Sequence, residues 1–154
     1  MTTPELWGPY VWHLMHLLAD VSDRRDIYPL WNTFLRITAL TIPCQKCQIH
    51  MKDYLVHHAF IPKNWNTLSA AEVRQRIREW VHTFHNAVNM RLEKPCPPLA
   101  TELIGHGEAM SEIATVFETV KELWGRVAFL SGPTFLEWKR VTTLLIQLVK
   151  AGTY

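Results

Sequence analysis

Apolar residues recur along this chain at intervals of three and four, the period of helices buried on one side. No stretch alternates in the two-residue period of a strand. Pro4 and Glu5 fit the opening turn of a first helix capped by Thr2 or Thr3. Leu6, Val11, Leu14, Met15 and Leu18 carry its stripe to about Asp20. A polar loop over residues 22–26 precedes a second helix, near 29–41, with Leu30, Phe34, Ile37 and Leu40 or Thr41 facing inward. The third begins at Pro43 and buries Met51, Leu55 and Val56. After a break at 62–66, Ser69 and Glu72 form a capping box that opens the longest helix of this part. Its stripe is Val73, Ile77, Trp80 or Val81, Phe84, Val88 and Leu92, and it ends near Lys94 because Pro95, Pro97 and Pro98 cannot continue it. Four helices within residues 1–95 predict an all-α bundle.

Beyond the prolines, Met110, Ile113, Phe117, Val120, Trp124 and Val127 mark another amphipathic helix. Ser131-Gly132-Pro133 breaks it, and Phe135, Trp138, Val141, Leu145 and Leu148 form the last one. This C-terminal helical hairpin must bury its stripes against the bundle, another subunit or a partner. The organisation expected is therefore a bundle domain over 1–97 and a helical extension over 98–154.

Composition narrows the classes. With 48% hydrophobic residues and seven tryptophans, the chain is a globular one long enough for a core. Its 16 basic and 14 acidic residues leave a formal charge of +2, and no basic stripe points to nucleic acid. The three arginines in residues 74–78 read as a solvated helix face. The N-terminus lacks the basic region of a signal peptide, and no apolar run reaches the ~18 residues of a membrane span. A soluble intracellular protein is expected. Three cysteines are an odd number, too few for a disulfide-stapled secreted domain.

Two of the three stand as Cys44-Gln45-Lys46-Cys47, with His50 three positions on. Such a pair either closes an exchangeable disulfide or grips a metal. Pro43 puts Cys44 at or near a helix N-terminus, where free amides and the macrodipole favour a thiolate. On the long helix, His82, His85, Asn86 and Asn89 fall within an arc of about 100°. Two asparagines three apart cost local helix stability, so this polar face calls for solvent or a ligand to satisfy it.

Trp7-Gly8 with Trp12 and His16, then Cys44-x-x-Cys47-x-x-His50, then Trp80 and His85-Asn86-x-Val88-Asn89-x-x-Leu92-x-Lys94-Pro95, occur in that order. Over roughly residues 5–97 the chain resembles the Erv/ALR family of FAD-dependent sulfhydryl oxidases. The resemblance implies a four-helix bundle, completed by a short fifth helix, that holds FAD at its mouth. It implies a redox-active Cys44–Cys47 disulfide, in which the substrate thiol attacks Cys44 and Cys47 passes electrons to flavin. Oxygen then receives them as hydrogen peroxide. The FAD contacts it implies are Gly8, Trp12, His16, His50, His85, Asn86, Val88, Asn89, Leu92 and Lys94. Trp12 and His16, at i and i+4, share one helix face. Asparagine side chains can both donate to and accept from ring edges and ribose, and Lys94 can pair with pyrophosphate. Protein dithiols are the implied substrates, and a homodimer the implied assembly.

The chain departs from the family pattern in three places. Pro9 stands where arginine is usual. His82 stands where a structural cysteine is common, so the bridge to a partner near Cys96 is lost and Cys96 reads as a free thiol. No second, shuttling cysteine pair follows, which is similar to the compact viral members and implies the host cytoplasm or the virion as its location. Two rival readings remain. Cys44, Cys47 and His50, with His57 or His58, could supply zinc ligands to an adaptor. A catalytically silent assembly protein could retain the bundle and use its tail for interaction.

Overall fold

In the computed structural model, residues 3–127 and 132–152 are described. They form six α-helices and no strand: α1 (Pro4–Asp20), α2 (Tyr28–Thr41), α3 (Gln45–His57), α4 (Ala70–Arg91), α5 (His106–Gly125) and α6 (Pro133–Lys150). The one short helical element among these residues is the 3-10 turn Trp65–Thr67. None of the described helices is long and apolar enough to cross a membrane.

The local signals act as expected at several ends. Ser69 Oγ accepts from the Glu72 N–H while a Glu72 carboxylate oxygen accepts from the Ser69 N–H, so the capping box forms in full. Thr3 takes the N-cap position of α1 but makes no side-chain cap bond; Thr2 and Ser131 lie outside the described residues. Pro43 is not in the first turn of α3. It precedes the cap, and Cys44 itself is the N-cap residue. α4 stops at Arg91, short of Lys94, because Glu93 turns into the left-handed region at φ 56°. The Lys94 N–H then reaches back to the Asn89 carbonyl at 2.8 Å, the six-residue closure typical of a helix C-terminus.

The helices pack as two rows of three. α1 lies between α4 and α5, and α2 between α3 and α6. α3 meets α4 through Tyr54, Trp80 and Phe84, and α5 meets α6 through Phe117, Trp124 and Trp138. One continuous core runs from Trp7 to Val149. The C-terminal hairpin therefore buries its stripes on the bundle of the same chain. Trp124 meets Trp7 edge-on at 5.6 Å, and the buried Trp138 indole donates to Thr38 Oγ1 at 3.1 Å. Arg24 ties the far end of α6 back to the loop after α1 by donating to the Gly152 carbonyl.

Three expected core positions are corrected. Leu6, Val56 and Leu92 are exposed; of Leu40 or Thr41, Thr41 is the buried one, and Trp7 and Trp31 are buried as well. α1 and α2 each have neighbours on both sides, so their buried arcs are wider than a single stripe and their centres shift toward the tryptophans. Arg78 is also corrected: it is buried, not solvated.

The packing of α6 on α2 can be measured at Trp138. Trp138→Ala should cost about 3–5 kcal/mol in urea unfolding, whereas Trp138→Phe, which keeps the ring and loses the bond to Thr38, should cost about 1–2 kcal/mol. Equal and small losses would show that the hairpin contributes little to the core.

Candidate functional site

The first turn of α3 carries the only two joined sulfurs among the described residues. Cys44 and Cys47 form a disulfide with their Cα atoms 5.2 Å apart. Both are half-buried against the core. Cys44 Sγ accepts from the Cys47 N–H at 3.3 Å, so sulfur does here what a serine or aspartate does at other caps. Gln48 braces the turn: its backbone N–H donates to the Cys44 carbonyl, and its side-chain amide donates to the Ile42 carbonyl at 2.7 Å.

One helical turn after Cys47, His50 lies parallel to the Phe84 ring, with centroids 6.4 Å apart. Phe84 sits on α4, and its other ring neighbours are Tyr54 at 4.7 Å, Trp12 at 5.2 Å and Trp80 at 5.5 Å. Trp12 in turn stacks on His85, 4.0 Å apart and within 8° of parallel. α1 and α4 run antiparallel here, so Gly8, Trp12 and His16 descend one face of α1 along the part of α4 that bears His85. A Cβ built on Gly8 would meet nothing within 4 Å; that side of α1 is open.

His16 Nε2 and His85 Nδ1 are 2.9 Å apart, so one ring donates and the other accepts. Burial and the neighbouring His16 push His85 down from 6.5 to about 4. Burial lowers His16 as well, against the opposing pull of Asp20. Burial, then the charge of Arg91, lowers His50. Three neutral imidazoles thus border the aromatic shelf at physiological pH.

The polar face of α4 is partly satisfied from within the chain. Asn86 Nδ2 donates to the Pro97 carbonyl at 3.1 Å and lies 3.2 Å from His82 Nε2. His82 Nε2 lies 2.8 Å from that same carbonyl. Asn89 is buried and donates to Asn86 Oδ1. The His50 ring and the Lys94 ammonium make no hydrogen bond or ion pair with any described residue. Val88 is half-buried and Leu92 exposed at the end of the helix. Cys96 is an exposed free thiol.

Residues 94–105 form an irregular strap that turns back along α4. Arg78 holds its far end: Nη2 donates to the Ala100 carbonyl, Nε to Asp20 at 2.9 Å and Nη1 to Gln75. The strap, α1 and α4 enclose a cleft of about 250 Å³ lined by His16, Asp20, Arg78, His82, His85 and Asn86. The sequence signalled Cys44, Cys47, Trp12, His16, His50 and the histidine–asparagine face. It did not signal Phe84 as the ring shared by both halves of the shelf, nor Arg78 as a buried anchor. It read His82 as part of the polar face and as a lost cysteine, and the structure shows His82 joining α4 to the strap by a hydrogen bond at that place. No described group of three or more histidine, cysteine or acidic side chains is arranged to hold a metal ion. With Cys44 and Cys47 joined to each other, neither sulfur is available as a thiolate ligand, so the zinc reading is not favoured.

The family model of the Erv1/Alr family matches residues 9–103, more than half of the chain. The chain belongs to the Erv1/Alr family. Among its relatives, a protein of Invertebrate iridescent virus 6, named provisionally as the FAD-linked sulfhydryl oxidase 347L, is 28% identical over 98 residues. That match covers 62% of this chain and 86% of the relative. The FAD-linked sulfhydryl oxidase of African swine fever virus (isolate Pig/Kenya/KEN-50/1950) is 34% identical over 92 residues, covering 57% and 69%. No solved structure matches the chain. The Erv1/Alr match covers residues 94–103 of the strap and stops just before α5, so α5 and α6 lie outside the matched region of this family member.

Two outcomes follow. Because His85 has a depressed folded-state pKa, the stability gained by keeping it neutral is whole above 6.5 and is lost as pH falls toward about 4. Urea midpoints should therefore fall across that window, and fall less steeply in His85→Gln; parallel profiles would refute the assignment. Second, His82→Ala should speed proteolysis within residues 95–104 with little change in global stability. Arg78→Ala should do the same and also cost about 3 kcal/mol, the low end for a broken buried pair, because Asp20 keeps some solvent. Unchanged cleavage in both variants would refute the tethering of the strap.

Proposed function

We propose that this protein is an FAD-linked thiol oxidase that makes disulfides in protein substrates, with Cys44 and Cys47 as its redox pair. The observation that carries the reading is a disulfide in the first turn of a helix, one turn from an imidazole and an aromatic shelf. A substrate thiolate attacks Cys44 Sγ, a mixed disulfide forms, and Cys47 leaves as a thiolate. The positive end of α3 stabilises that charge. The second substrate thiolate then attacks its own sulfur in the mixed disulfide and releases the substrate disulfide. The pair is left as a dithiol, two electrons richer.

The residues present suit FAD. Trp12 and His85 offer a flat, half-buried stack, Gly8 leaves space beside it, and His50 and Lys94 retain unspent donors. Gly8, Trp12, His16, His50, His85, Asn86, Val88, Asn89, Leu92 and Lys94 are the contacts we assign to the cofactor. When bound, FAD would take the two electrons from the Cys44/Cys47 dithiol and deliver them to oxygen as hydrogen peroxide. The neutral state of His85 and His16 keeps like charge away from the stack and lets each ring donate or accept one bond. The His82–Asn86–Pro97 contacts hold the strap along one side of the cleft.

Residues 1–97 serve as the redox domain and 98–154 as an extension that completes its core. α5 and α6 already cover the outer faces of α1 and α2, so a homodimer would have to form through another surface. The names of the viral relatives favour a viral setting, with the host cytoplasm or the virion as the place of action.

Purified protein should be yellow, with flavin absorbance bleached by dithiothreitol under nitrogen and restored by air. Cys47→Ser should keep the colour and lose at least about a thousandfold in oxygen consumption, the scale seen when a member of a catalytic unit is removed. A colourless protein, or normal turnover in Cys47→Ser, would refute the proposal.

A further inference from the structure

A second concavity lies on the other flank of α3, away from the histidines. It is an open groove of about 550 Å³ between α2, α3 and the loop after α3, lined by Arg36, Leu40, Lys52, Leu55, Val56 and Phe60, among others. Leu40 is 46% exposed and Val56 79%. Ile49, at the spacing that aligns it with Lys52 and Val56 on α3, is 61% exposed. Large apolar side chains left in water in a row are uncommon on a surface with no partner. The groove's near end adjoins the turn that bears the redox pair: the Gln48 side chain donates to the Ile42 and Leu40 carbonyls, while its backbone N–H donates to the Cys44 carbonyl.

Two cations stand on this groove, Arg36 on α2 and Lys52 on α3. Neither makes a hydrogen bond or ion pair with any described residue. Among the described residues no carboxylate lines the groove, and Asp53, next to Lys52 on α3, lies outside its lining. The lining is thus apolar with a positive rim, complementary to an apolar side chain flanked by carboxylates. Eight to twelve residues of helix separate Cys44 from Lys52 and Val56, roughly 12–18 Å at the α-helical rise. An extended peptide covers that span in about four to six residues.

We propose that this groove docks the protein substrate through an extended segment carrying a bulky apolar residue flanked by carboxylates, about four to six residues from the cysteine that attacks Cys44. The proposal rests on the thiol-oxidase reading and adds to it a recognition site and a substrate class. Docking there tethers the reactive thiol beside Cys44 and raises its local concentration without touching the redox chemistry.

The test uses the full-length, FAD-loaded protein and three reductants, with oxygen consumption as the readout. They are dithiothreitol, a dithiol peptide with Glu-Leu-Glu placed five residues from its nearer cysteine, and the same peptide with Gln-Ser-Gln instead. The acidic apolar peptide should have a kcat/KM about tenfold above its neutral counterpart, chiefly through KM, and the advantage should shrink at high salt. The double variant Arg36→Glu/Lys52→Glu should erase that advantage while leaving dithiothreitol turnover within about twofold, since both residues are surface cations remote from the redox pair. Equal kcat/KM for the two peptides overturns the proposal, as does an advantage that survives the double variant. A concentration-dependent dimer that the variant abolishes also overturns it, because the groove would then hold a second copy. Failure of the wild type to oxidise dithiothreitol would sink the oxidase reading itself. The groove would then be judged by fluorescence anisotropy of the labelled acidic peptide with serines for cysteines: binding lost in the double variant supports docking, and no binding overturns it.

Discussion

A helix packed on both sides must carry two faces at once, and the site depends on α1 meeting that demand. Toward α5 it presents Trp7, which meets Trp124 edge-on. Toward α4 it presents Trp12, His16 and Asp20, which meet His85 and Arg78. The first contact is apolar and nondirectional; the second is a series of oriented rings and bonds. Hydrophobic burial fixes where α1 lies, and the directional contacts set the turn at which it meets α4. Without α5 and α6, the flank of α1 that bears Trp7 and the flank of α2 that bears Thr38 would face water. The extension beyond the Erv1/Alr region thus acts on the site at a distance, by fixing the helix that carries half of it.

Short-range chemistry was legible in the sequence, and long-range partnership was not. The capping box at Ser69, the helix start beside Cys44 and the breaks at the prolines involve residues within a few positions of one another, so their spacing states their geometry. The buried arcs of α1 and α2 reach beyond the expected stripes, to Trp7 in place of Leu6 and to Trp31, because a single stripe suits a helix with one neighbour, and these helices have more. Arg78 resembled its exposed neighbours until Asp20, 58 residues earlier, and the Ala100 carbonyl were seen to surround its guanidinium. The end of α4 came early because Glu93 adopts a backbone conformation that glycine usually takes, and nothing in its side chain announces that.

The candidate site separates two electrostatic environments by a few turns of helix. At the head of α3, backbone amides gather around sulfur and favour negative charge. Along the α1–α4 seam, burial holds His85 and His16 neutral. A redox pair needs the first, because a sulfur must leave as an anion. A flat aromatic cofactor would need the second, because charged imidazoles would repel one another 2.9 Å apart and break the stack. Phe84 lies between the two regions, in contact with His50 on one side and Trp12 on the other. It is the ring through which displacement of either helix would be felt by the other.

The strap shows how a covalent fastening can be replaced. Where the family pattern has a cysteine, His82 and Asn86 both address the Pro97 carbonyl, and Arg78 secures the chain three residues further on. Each hydrogen bond contributes only about 1 kcal/mol net, or somewhat more from a charged donor, against the several of a disulfide. Three contacts distributed along the strap nonetheless define its path, because proline at 95, 97 and 98 has already restricted the backbone. Such a fastening is also indifferent to thiols. An enzyme that handles dithiol substrates gains from a structural tie that those thiols cannot open by exchange. The only disulfide among the described residues is then the Cys44–Cys47 pair at the head of α3.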